Sequence, residues 1–192
     1  LDKSVAIRDK GDSTYSGAYV ATRSQNNFLW AGLQLPGGLV ATFYNYAGNG
    51  QKTPVGLLHT TPSVNLPKNG GLNTYAFSFS DTFGIKWSGV IRIATAGLYT
   101  FAITVNHKDE KVKLWVDNQE MINSDDSNTN STTISNTFLF VKQEEIHDVL
   151  LDYSSSDLTT CTVCSHKVEL TWAYGGSGFA IIPTDRMFWN YH

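Results

Sequence analysis

Apolar residues recur at every second position over long stretches of this chain. Phe83, Ile85, Trp87, Gly89, Ile91 and Ile93 share one parity, and Gly84, Lys86, Ser88, Val90, Arg92 and Ala94 the other. That is the period of a half-buried β-strand. Thr95-Ala96-Gly97 then predicts a turn, with Tyr99, Phe101, Ile103 and Val105 on the return strand of a hairpin. Val112, Leu114 and Val116 line a short strand. Asp117-Asn118, two residues that tolerate the left-handed region, predicts a two-residue turn back through Met121 and Ile122. Leu39, Ala41 and Phe43, then Val149, Leu151 and Tyr153, then Val168, Leu170 and Trp172 mark three more strand faces. Trp87 and Trp172 are expected in the core. No stretch sustains a capped 3.6-residue period, so the pattern predicts an all-β antiparallel sandwich or jelly-roll-like barrel over residues 39–192.

Where the alternation stops, loops are expected. Asn45 to Asn73 holds Asn49-Gly50, Asn69-Gly70-Gly71 and three prolines, Pro54, Pro62 and Pro67. Ser124 to Thr133 is polar almost throughout, and Gly175-Gly176-Ser177-Gly178 breaks the pattern after Trp172. Residues 1–38 stand apart as an N-terminal extended arm. Val5, Ile7, Tyr19, Val20, Phe28 and Trp30 give it strand-like character, but these are too few to bury a core alone. A sandwich has open edges that accept a further strand. The arm is therefore expected either to pair with a neighbouring subunit, those six residues forming the contact, or to fold back on its own sandwich.

Composition narrows the function. Only 16% of the 192 residues are charged and the formal net charge is −3. Without a basic stripe the chain is a poor nucleic-acid partner. No run of about 18 apolar residues exists to insert into a membrane. The chain opens Leu1-Asp2-Lys3 with no initiator Met and no leader, which reads as a processed chain or a fragment.

Candidate chemistry is sparse. Cys161 and Cys164 are the only cysteines. Zinc would need more soft or imidazole ligands than His166 supplies, and no βαβ context supports a redox motif. A local disulfide, stabilising by about 2 kcal/mol, is the better reading against two free thiols. It agrees with an extracellular location. Asn130-Ser131-Thr132 is an N-glycosylation sequon in a polar loop. The five histidines are scattered, and Asp125-Asp126 and Glu144-Glu145 read as solvated surface. Nothing points to an enzyme or to a cofactor. Tyr44, Tyr46, Trp115, Tyr153, Tyr174, Trp189 and Tyr191 are sugar-stacking candidates, though such aromatics usually pack in the core or against neighbouring strands.

The order of motifs resembles the PA14 family. The resemblance is carried by Gly38-Leu39-Val40-Ala41-Thr42-Phe43-Tyr44, Gly84-Ile85-Lys86-Trp87-Ser88-Gly89-Val90-Ile91 and Ala96-Gly97-Leu98-Tyr99-Thr100-Phe101. It continues through Val112 to Gln119, Val168 to Trp172 and Ile181-Ile182-Pro183. The resemblance implies a secreted or cell-surface sandwich, generally a non-catalytic part of toxins, adhesins, glycosidases and flocculins. Lectin-like members hold a sugar through calcium on an Asp-Asp pair just before the strand that starts here at Val112. At that place this chain has Asp109-Glu110, then Lys111 where the family has Gly. Calcium needs six to eight converging oxygens. The longer Glu and the flanking Lys108 and Lys111 make Asp109 and Glu110 a degenerate calcium motif. Two functions are then expected. The first is an extracellular structural or assembly subunit of a matrix or fibril. The alternative is a carbohydrate-binding adhesin module, with or without calcium.

Overall fold

A computed structural model describes residues 7–9, 15–17, 33–46, 51–60, 62–67, 82–125, 132–155 and 165–191. The chain divides into two compact units, Leu1–Gly32 and Leu33–His192. In the first, β1 (Ile7–Asp9) and β2 (Tyr15–Gly17) pair antiparallel with each other. Val5, Tyr19, Val20, Phe28 and Trp30 lie outside the described residues, as do Cys161, Cys164 and Asn130.

The second unit is an antiparallel β-sandwich, as the alternation predicts. Its large sheet is built on β7 (Phe83–Ile93), which pairs along its length with β12 (Glu145–Ser154). Beyond β12 come β9 (Lys111–Val116) and β10 (Gln119–Asn123). The other flank of β7 is shared. β4 (Leu39–Tyr46) covers residues 83–88 and β15 (Met187–Tyr191) covers Val90 and Ile91. Gly89 sits where the two meet, with φ 157°; a Cβ there would lie 2.4 Å from the Phe188 carbonyl and 2.9 Å from Leu39. Only glycine admits that approach.

The small sheet has β8 (Gly97–Val105) between β11 (Thr133–Phe140) and β13 (Ser165–Tyr174). β6 (Ser63–Pro67) and the short β14 (Ala180–Ile181) complete it along β13. The inward parities of both sheets fuse into one core. Trp87, Ile85, Phe43, Phe101, Ile103, Leu114, Leu151 and Tyr153 are all at most 1% exposed. Burial of that apolar surface is the main favourable term holding the layers together.

Five local expectations change. First, Thr95–Gly97 does not close a hairpin. Both flanks of β7 are occupied within the large sheet, so the chain crosses to the small sheet. Gly97 serves the crossing: a Cβ there would press on the Tyr174 ring at 2.7 Å. Second, the expected loop from Asn45 contains β5 (Lys52–Thr60), hairpinned to β4, and β6. Its prolines fit where no ladder donor is needed. Pro54 lies on a strand that pairs only with β4, opposite the bulge at Phe43/Tyr44, and Pro62 accepts the Leu170 N–H at 2.8 Å. Third, β11 emerges from the end of the polar stretch. Its Asn136, exposed although on the core-facing parity, donates its amide to the Met121 carbonyl at 2.7 Å. Fourth, β3 (Leu33–Pro36), inside the expected arm, pairs with β15 in the large sheet. Fifth, Trp172 is half-buried at the edge of the core, its ring tilted against Tyr99 with centroids 5.2 Å apart, whereas Trp87 is wholly buried.

Candidate functional site

β9 leads from one end of the sandwich to the other, and the two ends differ in chemistry. Before β9, the loop Asn106–Glu110 turns on the Glu110 N–H donating to the His107 carbonyl at 3.1 Å. Its Glu110 side chain points inward and is buried. Oε2 accepts the backbone N–H groups of Asn106 and His107 at 3.0 and 3.1 Å. Oε1 accepts the Tyr153 hydroxyl at 2.7 Å and lies 2.9 Å from His166 Nδ1. Tyr153 belongs to the large sheet and His166 to the small one, so this carboxylate ties the layers together. Burial first, then the neighbouring Glu110 carboxylate, push the Tyr153 phenol far above its ordinary range.

This is where the resemblance implies a paired acidic calcium motif, and the residues present do not fit a calcium ion. Both oxygens of Glu110 already accept N–H and O–H donors, whereas a cation needs unshared oxygens. Asp109 stands exposed beside it. Lys111 points to Asp125 at 3.3 Å, which it shares with Lys113 at 3.1 Å. Hydrogen bonds from Lys113 and Lys111 hold the Asp125 carboxyl below the ordinary carboxylate range. Among the described residues no group of three or more His, Cys, Asp or Glu could hold a metal ion.

After β9 comes the predicted turn. Asp117 and Asn118 take φ of 51° and 63°, the type I′ geometry that suits a two-residue hairpin. Asp117 fastens this turn to β12. Its N–H donates to the Asp148 carbonyl and its Oδ1 accepts the Asp148 N–H, both at 2.9 Å. Its Oδ2 lies 2.6 Å from Nδ1 of His147, a buried residue packed 4.4 Å from the Phe140 ring.

Beside the turn the outer face of the large sheet is concave. A groove of about 360 Å³ is lined by Val40, Ser88, Gly89, Trp115, Asn118, Asp148, Val149 and Leu150. Strand register explains the grouping. Val40 is opposite Ser88, Ser88 opposite Leu150, and Leu150 opposite Trp115, one row across four strands. Trp115 is half-exposed, and Asn118, Asp148 and Ser88 are exposed. No hydrogen bond or ion pair engages the Asp148 carboxylate among the described residues, although its backbone is tied on both sides to Asp117.

The PA14 domain family profile matches residues 37–175. The chain belongs to the PA14 domain family. No curated protein matches it. Among solved structures, an anti-sigma factor domain-containing protein from Clostridium clariflavum is 18% identical, with a TM-score of 0.61 over 79% of this chain and 47% of the other. The chain thus spans about half the length of that protein. The A domain of Epithelial Adhesin 6 from Candida glabrata, in complex with Galb1-3GlcNAc, is 9% identical, with a TM-score of 0.55 over 81% of this chain and 88% of that domain. A PA14 sugar-binding domain from an RTX adhesin is 15% identical, with a TM-score of 0.54 over 80% and 98%. At these identities the likeness is one of fold.

Of the residues expected to carry function, Asp109 and Glu110 are neighbours that face opposite environments, and Ile7 lies in the β1–β2 hairpin. Alternation placed Trp115 on an outward face but could not show that Asn118, Asp148 and Ser88 surround it. Their union depends on strand order. No helix of the described residues is long and apolar enough to cross a membrane.

Proposed function

We propose that this chain is a non-catalytic carbohydrate-binding module of the cell exterior, of the kind used in adhesion. The observation that carries it is the groove on the outer face of the large sheet. There a half-exposed tryptophan stands beside an amide, a carboxylate and a hydroxyl. Sugars need that combination: an apolar face for the ring, and directional donors and acceptors for its hydroxyls. Family membership supports the reading, and two solved neighbours are sugar-binding by their descriptions. An extracellular setting and a disulfide between Cys161 and Cys164 belong to the same proposal. The other expectation, a matrix or fibril subunit assembling through the arm, draws no such support.

A glycan array probed with the full chain, with and without a calcium chelator, tests the reading. Selective binding to a related set of glycans is expected. A blank array with a folded protein overturns it.

A further inference from the structure

We propose that the groove takes a neutral pyranose sugar directly, without calcium. The ring stacks on Trp115 and two adjacent hydroxyls are received by the Asp148 carboxylate. This rests on the carbohydrate-binding reading and adds to it the place, the sugar class and the independence from metal.

The cation route is closed first. At the place where the resemblance implies the acidic pair, Glu110 is consumed inside the fold: it accepts from Asn106, His107 and Tyr153 and pairs with His166. A sugar bound here must therefore be read by protein groups alone.

The groove offers those groups. Its volume of about 360 Å³ lies at the small end of the range of about 300–1,000 Å³ for ligand clefts, suited to one or two sugar rings. Trp115 presents an aromatic face, with Leu150 and Val40 continuing the apolar floor along the same row. Asp148 is an acceptor without a side-chain partner. An ionised carboxylate receives two hydroxyl donors at once, in charge-assisted bonds stronger than neutral ones. Asn118 and Ser88 each supply a donor and an acceptor. The reading groups are also positioned in advance. Asp117 locks the backbone of Asp148 and carries Asn118 as the next residue of the same left-handed turn. The buried His147 in turn holds Asp117 at 2.6 Å. Little ordering remains for the ligand to impose, which favours binding.

Charge selects the class. Glu120 is opposite Trp115 in register and exposed. With Asp148 it places carboxylates on two sides of the stacking face. The next row holds Lys86, Asp152 and Lys113, of which Lys113 is paired with Asp125 at 3.1 Å and Asp152 with Lys52 at 3.5 Å. A sugar carboxylate seated on Trp115 would meet like charge from Glu120 and Asp148, so neutral sugars are preferred over uronic acids.

The test titrates the full chain with the methyl glycosides of glucose, galactose and mannose, and with glucuronic acid. It follows tryptophan fluorescence and ligand-observed NMR, in EDTA and in calcium. At least one neutral glycoside is expected to saturate, with Kd differing less than about twofold between EDTA and calcium, and tighter than glucuronic acid. Trp115→Ala is expected to weaken it about tenfold or more. Asp148→Asn should weaken the neutral sugar and narrow its advantage over the acid. Leu139→Ser, on the small sheet, should bind as the parent does, and circular dichroism should show every variant folded. Binding that needs calcium, prefers glucuronic acid or survives Trp115→Ala overturns the proposal. Glycan-array binding that survives Trp115→Ala removes the groove but leaves the carbohydrate reading standing, whereas a blank array removes both.

Discussion

Glu110 and Asp148 are both carboxylates next to β9, and they do opposite things. Glu110 is buried at one end of the strand and surrounded by donors from a loop and both sheets. Asp148 is exposed at the other end, with its backbone fixed and its side chain uncommitted. The difference teaches where this chain keeps spare bonding capacity. A buried charge must be matched by internal partners or it destabilises the fold. An exposed charge on a rigid backbone costs the fold little and can be matched by a ligand. The position that resembles the family's ligand site has become a structural staple. The position that the resemblance does not single out is the one left open.

The sharpest way to break the comparison is Glu110→Ala. It strands two backbone N–H groups and the Tyr153 hydroxyl inside the sandwich and leaves His166 without its partner. The expected loss is about 3–5 kcal/mol, read from a denaturant melt. A loss under about 1 kcal/mol would show that the network is dispensable.

Tyr153→Phe is the next largest. It deletes one hydrogen bond to a charged acceptor, an expected cost of about 1.5–3 kcal/mol. It also carries a pH signature. The folded-state phenol sits above its unfolded value, so the folded chain holds that proton more tightly. Its contribution is complete below about pH 10 and falls as pH rises past that value. The parent should therefore lose stability more steeply than Tyr153→Phe as pH rises from about 10 to 12. Identical slopes would place the phenol in contact with water.

What was legible in the chain follows the same division. Period two revealed the faces of β4, β7, β8, β9, β12 and β13, because each buries one parity against the core. Asp117-Asn118 announced its turn because few residue pairs accept two left-handed conformations in succession. Strand partners were not legible. Both layers obey the same period, so nothing in Thr95–Gly97 distinguishes a hairpin from a crossing between sheets. β5, β6 and β11 were hidden by their own chemistry. Edge strands tolerate proline, and the exposed Asn136 interrupts the apolar parity of β11 between Ile134 and Phe138. The groove was hidden for a related reason. Ser88, Trp115, Asn118 and Asp148 converge only once β7, β12 and β9 lie side by side, and that order is set by long-range pairing. At Glu110 the residue type pointed toward a ligand, and burial turned it toward the fold.

Asp117→Ala stands between the two extremes. Asp117 shapes the open end but is itself bonded to His147 and Asp148. Losing both side-chain bonds should cost about 1–2 kcal/mol. It should also weaken sugar binding by letting Asn118 and Asp148 drift, although neither is changed. Unaltered binding in a destabilised Asp117→Ala would mean that the turn does not position the groove.

The smallest expected effect on stability is that of Asp148→Ala, and it bears most directly on the comparison. The side chain has no hydrogen bond or ion pair among the described residues, and alanine keeps the backbone bonds to Asp117. The fold should change by no more than about 0.5 kcal/mol in either direction, the usual range for a surface position without partners. Two carboxylates flank Trp115, so removing one also relieves mutual repulsion, which favours a change near zero or slightly stabilising. Ligand affinity should nevertheless fall. An unchanged denaturation midpoint with weakened sugar binding would separate the open end of β9 from the stapled end by function as well as by burial. A stability loss of about 2 kcal/mol or more, well outside that surface range, would reveal a structural partner for Asp148 and make both carboxylates parts of the scaffold.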